Sequence, residues 1–171
     1  MRLAHLAAAV TVTALTVTTL LVAGAGQEGR AGADPAVRAV IVRDADGELL
    51  AQAPLVGETF AVSYRNSIYR TLAEERYRVS EDGFTVVELA ADQLAVLEEY
   101  YAVPGPVRPA PGADRREWVA RPTRPAEFTD LTIAATELGE RTLHVPGHPP
   151  VPLAPLVDDD PTVVLDVEVI P

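Results

Sequence analysis

The feature that most constrains this chain is a period of two in its hydrophobic pattern. Phe60, Val62 and Tyr64 alternate with Thr59, Ala61, Ser63 and Arg65; Ala73, Glu75, Tyr77 and Val79 alternate with Glu74, Arg76 and Arg78. Near the end, Val163, Leu165, Val167 and Val169 alternate with Val164, Asp166, Glu168 and Ile170. Successive side chains of a strand point to opposite faces, so each run reads as a strand with one face toward a core. Turn residues punctuate them. Asp44-Ala45-Asp46-Gly47 separates Val37 to Val42 from Leu49 to Leu55, and Ser80-Glu81-Asp82-Gly83 separates Tyr77 to Val79 from Phe84 to Leu89.

Shorter strands are expected at Phe128 to Ala134, Thr142 to Val145 and Val151 to Leu153. About eight or nine strands spaced by turns imply an all-β fold, a small antiparallel sandwich or partly open barrel. Ala90 to Tyr101 is rich in helix formers, with Leu94, Leu97 and Tyr101 at helical spacing. It reads either as a short amphipathic helix ending before Pro104 or as strand pairing continued from Phe84 to Leu89. Pro104 to Pro125 is proline-rich and reads as a long surface excursion.

The first residues follow a different rule. Leu3 to Gly26 carries no Asp, Glu, Lys or Arg, and roughly 20 apolar residues suffice to cross a hydrocarbon core. Its threonines and the small residues Ala23-Gly24-Ala25 also suit a cleaved export signal. Residues 1–25 are therefore expected to be a signal peptide or membrane anchor, residues 26–35 a flexible tether and residues 36–171 a single β-domain. Either fate of the segment delivers the domain to the outer side of the membrane.

Composition removes several functions. The 171 residues carry 14 basic and 25 acidic side chains, a net charge of −11, which leaves no cationic footprint for nucleic acid or an anionic lipid surface. Membrane contact is expected only through an uncleaved N-terminal segment. Without cysteine there is no disulfide, thiolate metal site or cysteine nucleophile.

The run from Tyr64 to Val79, with Asn66-Ser67-Ile68 followed by Glu75, Tyr77 and Val79, resembles a bacterial family called domain of unknown function eighteen-fifty. There a strand ends in a His-Ser-Val-like triplet, and Glu, any residue, an aromatic, any residue and Val follow. Thr142 to Val169, with its Pro-Leu segment Pro152 to Val157, is a looser echo of the family's order. The resemblance implies a small extracytoplasmic β-domain often encoded beside TAXI-type TRAP transporters, and it implies no reaction. Ser67 matches the triplet's serine and Glu75 the downstream glutamate. Asn66 stands where the family has histidine, replacing a titratable imidazole by an amide. The family's Gly-Ala-Gly-like stretch is absent before Pro104.

The candidate site is a polar cluster of Asn66, Ser67, Arg70 and Glu75. Glu75 shares the apolar face with Tyr77 and Val79, and a carboxylate there needs donors. Ser67, Asn66, Arg70 or a backbone amide would supply them, in a structural knot or a ligand-binding site. No Gly-x-Ser-x-Gly elbow surrounds Ser67, which leaves a pairing with His144 or His148 as the route to a hydrolase. Those two imidazoles lie four apart, but Pro146-Gly147 breaks any helix between them, so no metal site is expected. Asp158-Asp159-Asp160 lacks the spacing of a calcium loop and reads as a solvated turn. The arginines of Asp114-Arg115-Arg116-Glu117 are matched by flanking acids, and Trp118 reads as a partner anchor or sheet-edge cover.

The leading expectation is a noncatalytic extracytoplasmic domain, without a cofactor, serving a TRAP-type transporter or its solute receptor as accessory or partner. A small-ligand or solute-binding module using the cluster around Ser67 and Glu75 is the alternative, and a secreted hydrolase the third.

Overall fold

A computed structural model describes residues 37–170. The expected targeting segment and tether, residues 1–25 and 26–35, lie outside the described residues. Two antiparallel sheets pack over one core, an all-β sandwich rather than a closed barrel.

The smaller sheet is built from β1 (Val37–Asp44), β2 (Leu49–Pro54), β9 (Asp130–Ala134) and β12 (Thr162–Ile170), in the order β2-β1-β12-β9. Its hairpin turn forms as the sequence predicts. Asp44 Oδ1 accepts the backbone N–H of Asp46 at 3.0 Å and of Glu48 at 2.7 Å, and Gly47 supplies the positive φ of 85°. The larger sheet contains β3 (Thr59–Arg65), β4 (Leu72–Ser80), β5 (Gly83–Ala91), β6 (Arg108–Pro109), β7 (Trp118–Ala120), β10 (Thr142–His144) and β11 (Val151–Pro152). Their order is β11-β10-β3-β4-β5-β7-β6, and β8 (Glu127–Phe128) pairs separately with β5.

The inner faces carry the residues that alternation assigns to the core. Val40, Val42, Val163 and Leu165 meet Phe60, Val62, Tyr77, Val79 and Phe84. Phe60 stacks on Tyr77 at 4.8 Å between ring centroids, and Phe84 meets both rings edge-on. Burying each such side chain stabilises by roughly 1.5–3 kcal/mol, which makes this trio, together with Phe128, the anchor of the large sheet.

Two expectations are refined. Both readings of Ala90 to Tyr101 hold in part: Ala90 and Ala91 continue β5 and pair with β4 and β7, and a short helical turn ending in the π-helical stretch Val96–Tyr100 follows. Val96 and Leu97 are fully buried, so packing of two side chains rather than helix propensity holds the turn. The stretch from Pro104 to Pro125 is more than an excursion. It adds β6 and β7 to the edge of the large sheet and carries Asp114 to Arg116 over that sheet's outer face.

Candidate functional site

The polar residues singled out from sequence divide between two places. Asn66 is buried at the end of β3 and builds the β3–β4 turn. Its Oδ1 accepts the N–H groups of Ile68 and Tyr69, both at 3.0 Å; its own N–H bonds Thr71 O, and its carbonyl accepts Arg70 N–H. An amide oxygen accepting backbone donors two and three residues on is the way Asn stabilises a turn. Ser67 and Arg70 stand exposed on that turn, and Arg70 adopts a φ of 58°. Neither reaches Glu75.

Glu75 finds other donors. Its Oε1 accepts the hydroxyl of Tyr101 at 2.6 Å, its Oε2 accepts that of Tyr77, and Tyr64 donates in turn to the Tyr101 oxygen at 2.6 Å. The expected knot around Glu75 therefore exists, but phenols hold it together. Burial and the neighbouring carboxylate push the Tyr77 and Tyr101 phenols far up, and burial raises Tyr64 to about 12, so all three stay protonated donors. Tyr64, Tyr101, Glu75 and Tyr77 thus form one polar chain, from which Asn66 stands apart with its Nδ2 buried and unpartnered among the described residues. This chain pins Tyr101, and with it the π-helical stretch, to the inner face of the sheet.

A second polar assembly lies on the outer face, where alternation predicts solvated charge. Register aligns His144, Ala61, Arg76 and Glu88 in one row across β10, β3, β4 and β5, and Thr142, Ser63, Glu74 and Ala90 in the next. Glu74 is fully buried although its face is the wet one. Arg115 binds it with Nε at 3.0 Å and Nη2 at 2.8 Å, and Arg76 Nε donates to it at 2.7 Å. Arg76 also binds Glu88 at 2.8 Å and grips Asp114 with two nitrogens, and Arg116 pairs with Asp92 at 3.2 Å. Burial pushes the Glu74 carboxyl up, but the hydrogen bonds and charges of Arg115 and Arg76 outweigh it and hold the group below its ordinary value. Asp114 is lowered chiefly by its bond from Arg76. The arginines of the 114–117 stretch thus pair with Glu74 and Asp92 across the sheet rather than with the flanking acids expected from sequence, while Asp114 pairs with Arg76.

Beside this network opens a cavity of about 750 Å³. Its walls include Arg76, Arg78, Arg115, Arg121 and Glu88 on one side and His144, Pro146, His148 and Pro150 on the other, with Ala61 and Val87 at its base. The base is shaped by a bulge: Arg76 pairs with Glu88 but Tyr77 pairs with Val86, leaving Val87 as the extra residue. His144 is held through Nε2 by the Ser63 hydroxyl at 2.8 Å, and burial followed by the charge of Arg115 lowers its pKa, favouring the neutral ring.

This pairing corrects the one weighed from sequence, since the serine beside His144 is Ser63. Ser63 is 5% exposed, so its hydroxyl positions the imidazole more readily than it meets a substrate. Among the described residues, no three His, Asp or Glu side chains gather as a metal-binding group. Asp158 to Asp160 form an exposed turn in which Asp160 caps Thr162 N–H at 3.0 Å. Trp118 is half-buried in β7, pairing with Ala91 and packing on the core.

The outer-face site was missed because its parts lie far apart in sequence. The available signal was the same-face series Glu74, Arg76 and Arg78, which alternation alone marks only as wet. No family model, curated protein or solved structure matches the chain.

Proposed function

We propose that this protein is a noncatalytic binding domain working on the outer side of the membrane, with the outer-face cavity as its ligand site. The observation that carries the reading is the cavity itself. Its volume of about 750 Å³ falls within the roughly 300–1,000 Å³ of small-molecule sites. Its base is framed by three strands of one sheet, and its arginine wall is braced by Glu74, Glu88 and Asp114, giving the rigidity that a preorganised site needs. Burial of Ser63 supports binding over hydrolysis. The charge-free N-terminal segment supports the location, and the family resemblance supports service beside a TRAP-type transporter or its solute receptor.

The test is a melting-temperature screen of the full chain in mild detergent against small solutes of varied charge, repeated with Pro150→Trp at the exposed rim. A saturable rise in Tm that the rim substitution abolishes is expected. A rise that survives it places binding elsewhere and refutes the reading. Co-purification from solubilised membranes tests the transporter partnership, and a protein that repeatedly comes out alone counts against it.

A further inference from the structure

The geometry points to a small organic anion, bearing carboxylate or phosphate oxygens on a carbon body, as the ligand of the outer-face cavity, with Arg78 and Arg121 reading its charge. The inference rests on the binding reading above and names the chemistry of that same site.

Four arginines line the cavity against one carboxylate, Glu88, in a chain whose net charge is −11. Local positive charge on an acidic protein is placed by the fold, since composition alone would give the reverse. The four have different roles. Arg76 spends its nitrogens on Glu74, Glu88 and Asp114, and so acts as wall. Arg115 uses Nε and Nη2 on Glu74, which leaves Nη1 unused. Among the described residues Arg121 makes one long side-chain contact, 3.4 Å to Glu88, with its side chain 70% exposed. The Arg78 side chain has no hydrogen bond or ion pair among the described residues. Glu88 is already engaged by Arg76 at 2.8 Å and lies 3.4 Å from Arg108 as well as from Arg121, so its charge is more than offset.

Two guanidinium groups thus face the cavity with most of their donors unused. A guanidinium presents parallel N–H donors that match a carboxylate or phosphate edge. The opposite wall is of another kind, with Pro146 and Pro150 presenting rigid apolar surface that a bare inorganic ion would leave uncovered. An anion with a carbon body satisfies both walls.

Isothermal titration of the full chain in mild detergent, at low and at physiological salt, tests this with citrate, phenyl phosphate, sucrose and choline. Saturable binding of citrate or phenyl phosphate is expected, weakened by added salt. Arg78→Gln with Arg121→Gln should weaken it at least tenfold. Arg43→Gln, which removes a partner of Glu168 on the smaller sheet, should leave it unchanged, with circular dichroism confirming the fold of every variant. Equal weakening by Arg43→Gln, or no weakening by the double substitution, overturns the assignment. Sucrose or choline bound in place of both anions, and lost in Pro150→Trp, overturns the anion class while the binding reading stands. No binding by any of the four overturns both.

Discussion

Replacing Glu74 by Gln isolates the chemistry that holds the outer face together. The carboxylate is fully buried and accepts three charge-assisted bonds, one from Arg76 and two from Arg115. Gln keeps the shape but loses the charge, and turns an N–H₂ group toward guanidinium donors. Breaking a buried ion pair from one side costs roughly 3–5 kcal/mol, because the partner is left charged and unpaired. Here the partners regain water, since the Arg115 side chain is 52% exposed and that of Arg76 is 22% exposed. The expectation is therefore the lower end, about 3 kcal/mol or on the order of 10 °C in Tm for a domain of this size.

The same substitution changes the acid limb. Because the folded-state pKa of Glu74 lies below its ordinary 4.5, the unfolded chain takes up the proton first as pH falls. The stabilisation is complete above that value and lost as pH drops through the folded one. Urea unfolding of wild type and Glu74→Gln between pH 7 and pH 3 measures both effects. The variant should start lower and lose stability less steeply below pH 4.5. A loss under about 1 kcal/mol at pH 7, or parallel acid limbs, would refute the claim that this carboxylate clamps Arg76 and Arg115.

Tyr101→Phe removes the donor to Glu75 and the acceptor of Tyr64, and should cost about 1–2 kcal/mol with faster amide exchange in Val96–Tyr100; unchanged protection there would show that the phenol chain does not pin the turn. Asn66→Ala should lose about 1–2 kcal/mol in urea unfolding, whereas Asn66→Asp, which keeps an acceptor for Ile68 and Tyr69, should lose clearly less; equal losses would argue against the turn-capping role. Gly83→Ala forces a Cβ to within 2.1 Å of the Phe128 carbonyl at a φ of 147°, so it should unpair β8 and lower stability by more than about 2 kcal/mol. A near-neutral melting curve would contradict that close approach.

What the sequence determined by itself follows from the period of two. Side-chain direction in a strand is a local property, so β1, β3, β4, β5 and β12 and their core residues were readable before any contact was known. So was the Asp44 to Gly47 turn, and so was the inward direction of Glu75. Its phenolic donors were not readable, because Tyr101 lies 26 residues away on a turn shaped by packing.

Only the tertiary structure decided which polar groups are buried. Alternation placed Glu74 on the wet face, yet a proline-rich segment about 40 residues downstream folds back and seals it under Arg115 and Arg116. Burial depends on what covers a face, and strand periodicity carries no information about that. The cavity beside Arg78 and Arg121 arises the same way, from one bulge at Val87 and one turn at Pro146 that meet only after β10 pairs with β3.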